Sequence, residues 1–452
     1  MAVEARMKRY KKVPPDGGYG YCILVACTVN MISSTMFYVC FGMIYQDFFN
    51  KLGIGTTGIS LLTGIRAVSF ALAGFVSGLL MKVLSRRQMA LVGATFYNSG
   101  MFGTVFVETE ALFIFCQGFL QMVGIGFIYA VTCTCINDYF VDKRLLSTGI
   151  VQTMAATSAM AAPMIVSWTM SDYGYHCTLI VISSVGMQSF VAAMLLQPVE
   201  WHMKKVEITE SEHITLMEKE KETPDQPDLT VTSKGSTSSM FVKIKTVLDW
   251  EMLKKYGRTS CCLHSPTALF ADILFMFNFA QALYAIGWNE DQVKWCFSVI
   301  AFGDLAFRVI LMVFSRWLRR LSNRSIYLLG LFLATATRIG LLLISDYIGT
   351  LVCLAVLGVS RCILVIMYPL VVSDQVTPDQ FPLAFGLSIA IYGVVSICCG
   401  PIVGAIRDAT NNYTILFSIV IAFLSVTTAA WAAEMFRDCT RQRREKRPHK
   451  NQ

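Results

Sequence analysis

An acid and a base stand four residues apart in the apolar stretch VIAFGDLAFRVILM, which covers residues 299–312. In a helix, Asp304 and Arg308 would lie on one face and within reach of each other. A guanidinium offers a planar fork of donors that holds a carboxylate through two parallel hydrogen bonds. Charge at mid-membrane costs about 2.5–3.5 kcal/mol per residue on insertion scales, so such groups usually face a protein interior or a wet cavity. The pair predicts an anion-binding site, with a structural ion pair that locks helices as the alternative.

The composition indicates what surrounds this pair. The chain has 452 residues, of which 55% are hydrophobic and only 15% are charged, and its mean hydropathy is +0.55. Roughly a quarter of the residues in soluble domains are charged. We therefore interpret the chain as a membrane protein that contacts the lipid bilayer and has no nucleic-acid partner. The sequence shows no G-x-x-x-x-G-K-[ST] motif for nucleotide phosphates and no cysteine spacing typical of a metal site, so we expect no cofactor and no metal.

Long apolar runs predict the fold class. A helix of about 20 apolar residues crosses a hydrocarbon core of ~30 Å, and such runs recur along nearly the whole chain. They predict an all-α membrane protein with twelve transmembrane helices. The predicted spans are residues 18–48, 56–81, 88–107, 111–137, 146–170, 176–197, 266–288, 292–315, 325–345, 348–373, 382–406 and 412–434.

The positions of Lys and Arg orient these spans, because cytoplasmic segments hold these residues in excess. Of the 38 basic residues, 31 fall on the side that both termini would share and three fall on the opposite side. The other four lie within predicted spans. An even number of spans with both termini in the cytoplasm follows.

The chain divides into two six-helix halves. The N-terminal bundle covers residues 18–197 and the C-terminal bundle covers 266–434, with a cytoplasmic, largely disordered linker at 198–265. Cytoplasmic tails cover 1–17 and 435–452, and the second tail is strongly basic. Two such halves are the plan of secondary carriers with the major facilitator fold, whose substrate sits near the midplane between the halves.

Four motifs carry a resemblance to a known family. PDGGYGYCILVA at 15–26 resembles the first-span signature of the monocarboxylate transporters, and YFVDKRLLSTGIVQTMAA at 139–156 resembles their fifth-span signature. The stretch with Asp304 and Arg308 is similar to their eighth span, and CCGPIVGAIRDATNNYTILF at 398–417 is similar to the end of their eleventh span and the loop after it. The resemblance covers essentially all twelve spans. It identifies the chain as similar to solute carrier family 16 of the major facilitator superfamily.

The resemblance implies a transporter rather than an enzyme. Such a protein would move monocarboxylates or related organic anions across the plasma membrane by alternating access, with or without a coupled proton. Arg308 would bind the carboxylate and Asp304 would balance its charge. Some members of the family need a single-span glycoprotein partner to reach the cell surface.

Other residues in the spans are candidates to line the cavity. Arg66 and Arg338 are predicted to be structural or to extend outward to the membrane surface. Some of the intramembrane arginines could pair with Asp272 or Asp304, or select a bulkier or doubly charged anion. The predicted lining residues are Arg361, Phe37, Tyr38 and Tyr392.

Residues near the ends of the first and fifth spans are candidates for gating or coupling. Asp16 directly precedes the first helix and is predicted to accept hydrogen bonds from the free amides of that helix. Lys143 and Arg144 would be ordinary membrane anchors or would form charge pairs with Asp138 or Asp142. A coupling role for this set is implied by the resemblance.

One departure from the family keeps other functions open. The proton-coupled lactate carriers have a lysine in the first span where this chain has Val39, which cannot take up a proton. Facilitated diffusion, or proton coupling through Asp304 alone, is therefore an alternative. Two other functions also remain: a facilitative carrier of aromatic amino acids or similar bulky zwitterions, and a membrane sensor or scaffold that transports nothing.

Overall fold

The protein is described by a computed structural model. The described residues are 10–52, 56–207, 250–344, 346–410 and 412–445. Most of the predicted linker (208–249) and the end of the predicted basic tail (446–452) lie outside them. The described chain is almost entirely helical, apart from one pair of four-residue strands. The predicted all-α class is confirmed.

The N-terminal half contains two spans assembled from shorter helical pieces. A 3₁₀ segment, Met36–Cys40, joins α1 to α2, and a π-helical segment, Ile114–Leu120, joins α5 to α6. The helices are α1 (Tyr19–Thr35), α2 (Phe41–Leu52), α3 (Thr56–Leu80), α4 (Arg86–Val105), α5 (Glu110–Phe113), α6 (Gln121–Tyr139) and α7 (Arg144–Leu195).

The C-terminal half begins with a short helix and continues with long ones. Its helices are α8 (Trp250–Gly257), α9 (Ser260–Ala285), α10 (Glu290–Val313), α11 (Ser315–Leu318), α12 (Asn323–Leu343), α13 (Tyr347–Ser373), α14 (Phe381–Thr410) and α15 (Tyr413–Glu445). Between the halves, a 3₁₀ turn at Val199–Trp201 precedes strand β2 (Lys204–Glu207), which pairs antiparallel with β1 (Tyr10–Val13).

The number of spans depends on how two helices are counted. Ten helical segments of the described chain are long and apolar enough to cross a membrane. One of them, α7, is interrupted at Gly174, where φ is 74° and ψ is −179°, a conformation that favours glycine. Helix α4 is less apolar and is not among the ten. Dividing α7 and including α4 would give twelve, so the count of twelve stays a prediction.

Side-chain caps fix several helix boundaries. Ser85 and Gln88 form a reciprocal capping box at the start of α4, and Asp346 accepts from the backbone N–H of Gly349 at 3.0 Å in α13. The side chain of Thr259 caps α9. The seventh span therefore begins at Ser260, six residues before its predicted start.

One face of the molecule brings together segments that are distant in sequence. Strand β1 pairs with β2, and Arg319 lies 3.7 Å from the carboxylate of Asp142. Arg324 donates to Asp438, near the end of α15, at 2.9 Å. Residues near both ends of the described chain therefore share a face, which we call the terminal face. Its assignment to the cytoplasm stays a prediction.

The two halves pack together through α3 and α14. The hydrophobic core of the C-terminal half includes Cys133 and Leu145 from the N-terminal half, and the ring of Tyr129 lies 5.7 Å from that of Phe385. Two further core clusters lie within the N-terminal half. The contact between the halves therefore includes shared core packing as well as surface ion pairs.

Candidate functional site

The predicted pairing of Asp304 and Arg308 is present. Nε of Arg308 donates to Oδ2 of Asp304 at 3.0 Å, and the two side chains are 7% and 22% exposed. Helix α10 lies directly against α13 here, because Gly303 and Gly358 leave no side chain between the backbones. A Cβ on Gly358 would lie 2.7 Å from the backbone nitrogen of Asp304. This close packing fixes the position of the acid.

Each side chain of the pair has one polar atom available for a further hydrogen bond. Oδ1 of Asp304 and Nη1 of Arg308 are both buried without a hydrogen-bond partner in the described part of the chain. Buried polar groups are normally paired, so unpaired ones require an explanation. The guanidinium can hold Asp304 through Nε and still offer Nη1 to a second carboxylate. This arrangement is suited to the reversible binding of an anion.

A second intramembrane acid holds two arginines. Asp272 on α9 accepts from Nη2 of Arg338 at 2.5 Å and from Nε of Arg361 at 2.9 Å. Arg338 is fully buried, Asp272 is 6% exposed and Arg361 is 29% exposed. The structural role predicted for Arg338 is consistent with this burial. The lining role of Arg361 stays a prediction, although its exposure leaves it accessible.

The aromatic candidates lie in different environments. Tyr38 lies in the 3₁₀ segment of the first span and is 50% exposed, whereas Phe37 is buried in a core cluster of the N-terminal half. Tyr392 on α14 is half-buried. Arg66 on α3 packs against Tyr38 and Phe41, with its Cζ atom 5.0 and 4.3 Å from the two ring centroids. Arg66 is 7% exposed, so the alternative that it extends outward is wrong.

Asp16 binds the turn that precedes α7, and not the start of its own helix. Its Oδ1 accepts from the backbone N–H groups of Val141, Asp142 and Lys143 at 2.8, 3.0 and 3.3 Å, while α1 has no side-chain cap. The prediction that Asp16 caps its own helix is therefore wrong. The backbone turns at Asp16, where φ is 45°, and this turn directs the carboxylate towards the start of α7. Asp16 thereby ties the first span to the fifth.

This geometry makes a prediction for Asp16. Asp16→Ala removes the acceptor and should lower the free energy of unfolding by about 0.5–1.5 kcal/mol, the net contribution of a typical intramolecular hydrogen bond. Asp16→Asn keeps an acceptor oxygen on a residue that tolerates positive φ, so we expect a smaller loss. Thermal unfolding in detergent measures both variants. Equal losses for the two would contradict the role of Asp16 as an acceptor for this turn.

Lys143 and Arg144 do not form the predicted acidic pairs. Nζ of Lys143 donates to the hydroxyl of Tyr21 at 3.0 Å, within the N-terminal half. Arg144 donates through Nε to the backbone oxygen of Phe140 at 3.0 Å and through Nη1 to Oγ of Ser373 at 2.9 Å. Because Ser373 ends α13, Arg144 links the two halves.

The two acids proposed as partners bind other arginines. Asp138 accepts from Arg86 at 3.1 Å, and Asp142 lies 3.7 Å from Arg319 of the opposite half. The contacts of Arg319 and Ser373 between the halves were not predicted from the sequence. Their only signal was a position at or just beyond the end of a predicted span, which many other polar residues share.

Asp374 lies beside the Arg144 contact on the terminal face. It accepts from Nδ2 of Asn323 at 3.0 Å. Burial raises the pKa of the Asp374 carboxyl, while the hydrogen bond from Asn323 and the charge of Arg144 act in the opposite direction. A small cleft nearby has lining residues from both halves, among them Arg144 and Phe381.

Near the terminal face, α3 of the N-terminal half packs closely against α14 of the C-terminal half. Gly386 of α14 touches Gly74 of α3, where a Cβ would overlap the backbone oxygen of Gly74. A Cβ on Gly78 would lie 2.6 Å from the backbone oxygen of Pro382. Only residues without side chains allow helices to approach this closely. With the contacts of Arg144 and Arg319, this packing joins the two halves near the terminal face.

Comparisons with known proteins agree with this architecture. A family model described as the Major Facilitator Superfamily matches residues 23–263 and 261–452. Monocarboxylate transporter 1 of Rattus norvegicus is 21% identical over 407 residues, which are 88% of this chain and 81% of that protein. Monocarboxylate transporter 6 of Homo sapiens is also 21% identical, over 90% of this chain and 79% of its own length.

A third relative, monocarboxylate transporter 13 of Rattus norvegicus, is 22% identical over 92% of this chain and 89% of its own length. These three relatives are named as transporters, as the sequence predicts for this chain. Among solved structures, the transporter FucP in its outward conformation aligns with a TM-score of 0.63. The alignment covers 92% of this chain and 98% of that chain at 13% identity, and it shows the shared fold.

Proposed function

Because this chain belongs to the Major Facilitator Superfamily, as its motifs predict, we propose that it carries organic carboxylate anions across the plasma membrane by alternating access. Its curated relatives are monocarboxylate transporters, and the fold is that of a two-bundle carrier. The observation that carries the proposal is the ion pair between the buried Arg308 and the partly buried Asp304, with one atom on each side chain that has no partner among the described residues. A cytoplasmic position of both termini and a single-span glycoprotein partner belong to the same proposal.

Arg308 would bind the cargo and Asp304 would balance it. In the empty site the two side chains neutralise each other, which avoids an unpaired charge inside the membrane. An arriving carboxylate takes the free donor at Nη1 of Arg308. A proton on Asp304 would then release the guanidinium entirely to the cargo. Because the first span has Val39 and no protonatable group there, proton coupling would depend on Asp304.

The packing between the halves supports the access mechanism. The contacts of Gly74 and Gly78 with α14, together with the Arg144–Ser373 hydrogen bond, would close the passage towards the terminal face. A carrier closed on that side would load its cargo from the opposite side. Separating these contacts would release the cargo at the terminal face.

The proposal predicts the effect of replacing Arg308. Arg308→Ala should lower carboxylate flux into proteoliposomes by at least about 30-fold, since losing one member of a buried charge pair costs at least about 2 kcal/mol. Arg308→Lys keeps the charge without the planar fork and should retain part of the flux. The exposed Arg316, two turns further along the chain, provides a control: Arg316→Ala should behave like the intact chain.

Folding must be separated from binding in this experiment. Arg308→Ala leaves Asp304 buried alone, so the double variant Asp304→Asn/Arg308→Gln is tested beside it. That variant keeps the pair uncharged and should fold, yet it should remain inactive. Flux of intact size in either properly folded variant would show that Arg308 does not bind the cargo.

A further inference from the structure

Among the side chains that the structure describes in the membrane interior, positive charges outnumber negative ones. Asp304 neutralises Arg308, but Asp272 is shared between Arg338 and Arg361. One positive charge of that group therefore has no counter-ion. An unpaired charge in a low-dielectric interior is costly, so a persistent excess suggests a function.

Arg66 adds a second uncompensated charge, in the other half of the protein. Its side chain is buried, and no acid of the described chain lies within ion-pair distance. Its Nη1 atom is buried without a hydrogen-bond partner. Its guanidinium packs on the rings of Tyr38 and Phe41, but ring faces compensate only part of the cost of burying an ion.

The surroundings of Arg66 resemble a binding site more than a core. The 3₁₀ segment Met36–Cys40 interrupts the first span beside it, and in carriers such broken helices commonly form substrate sites. Tyr38, on this segment, is half exposed although it contacts Arg66. An accessible ring beside a buried guanidinium with a free donor is suited to an organic acid.

We propose that Arg66 binds a second acidic group of the cargo, so that this carrier prefers organic dianions, dicarboxylates above all, over monocarboxylates. The inference rests on the proposed function and specifies its substrate class. Two excess positive charges equal the charge of two carboxylates, so a bound dianion brings the net charge of these intramembrane groups to zero, whereas a monoanion leaves a net charge of one. Arg66 would hold one carboxylate through Nη1, Arg308 the other, and Tyr38 would contact the apolar body between them.

The test compares acids of equal carbon number. Succinate, glutarate, adipate and suberate are each measured against the monocarboxylate of the same length, as flux into proteoliposomes at pH 7. We expect at least one dicarboxylate to reach half-maximal flux at a concentration about tenfold or more below that of its partner. No preference for any dicarboxylate in the intact chain would overturn the inference.

Arg66→Gln assigns the preference to this residue. It should raise the half-maximal concentration of the preferred dicarboxylate about 10- to 100-fold, the range for a lost charged hydrogen bond, and change that of the monocarboxylate by less than about threefold. Arg316→Gln should change neither. Equal effects on both acids, or no effect on the dicarboxylate, would overturn the assignment.

Two further measurements separate a failure of this inference from misfolding of the variant and from a failure of the proposed function. If Arg66→Gln cannot be reconstituted, Arg66→Lys is tested in its place. Because Lys keeps the charge but loses the planar fork, it should raise the half-maximal concentration of the dicarboxylate about tenfold and leave that of the monocarboxylate unchanged. Unchanged selectivity would overturn the inference. Arg308→Ala is measured in the same vesicles. If Arg308→Ala abolishes flux while Arg66→Gln is not selective, this inference alone fails. If Arg308→Ala has no effect, the proposed site fails as well.

Discussion

Asp272→Asn should destabilise the folded protein strongly. The substitution leaves Arg338 and Arg361 without their shared counter-ion, and Arg338 is fully buried. Removing one partner of a buried ion pair typically costs about 3–5 kcal/mol, because the remaining charge stays desolvated and unpaired. We expect a markedly lower unfolding temperature in detergent and a reduced yield of membrane-inserted protein.

Two companion variants test this explanation. Asp291 forms an exposed pair with Lys294 at 3.6 Å, and its side chain is 91% exposed, so Asp291→Asn should change stability by less than about 1 kcal/mol. Adding Arg338→Met to Asp272→Asn removes the fully buried charge and should restore part of the lost stability. A single variant as stable as the intact chain would show that other groups compensate these arginines.

Local geometry explains which parts of the site were predictable. Asp304 and Arg308 are four residues apart on one helix, so their contact follows from helix periodicity alone. Asp272 lies 66 residues from Arg338 and 89 from Arg361. Their contacts depend on the rotation of three helices, which apolar spans do not reveal, because all faces of such helices are apolar. The sequence therefore identified Asp272 as a candidate partner of the intramembrane arginines, but it did not identify Arg338 and Arg361 as the two that bind it.

The fold was predictable for a similar reason, and its exceptions are local. Apolar length and the distribution of basic residues constrain a membrane chain strongly, since every backbone polar group must be satisfied within a helix. The 3₁₀ segment Met36–Cys40 lies inside an apolar run and changes no hydropathy signal, whereas the break at Gly174 falls in the predicted gap between the spans 146–170 and 176–197. Asp16 was assigned to the nearest helix, whereas the positive φ of Asp16 and Gly18 directs its carboxylate to α7.

Gly386→Ala should impair the closed arrangement of the terminal side. The new methyl group would overlap the backbone oxygen of Gly74, and a backbone cannot move aside as a flexible side chain can. Overpacking of this kind typically costs about 1–3 kcal/mol. In the proposed cycle these helices are in contact here only in the state closed at the terminal face, so that cost would shift the equilibrium between the two states about 5- to 150-fold away from closure. Flux should fall, because a carrier that cannot close one side cannot complete its cycle.

The same helix provides the matched control. Gly404 also lies on α14, but a Cβ there would have no atom within 4 Å, so Gly404→Ala has the same chemical change without the clash. Hydrogen exchange of the backbone amides in residues 74–80 and 381–389 reports closure directly. We expect faster exchange and lower flux for Gly386→Ala and neither effect for Gly404→Ala. If both variants exchange and transport like the intact chain, the glycine contact does not form part of the transport cycle.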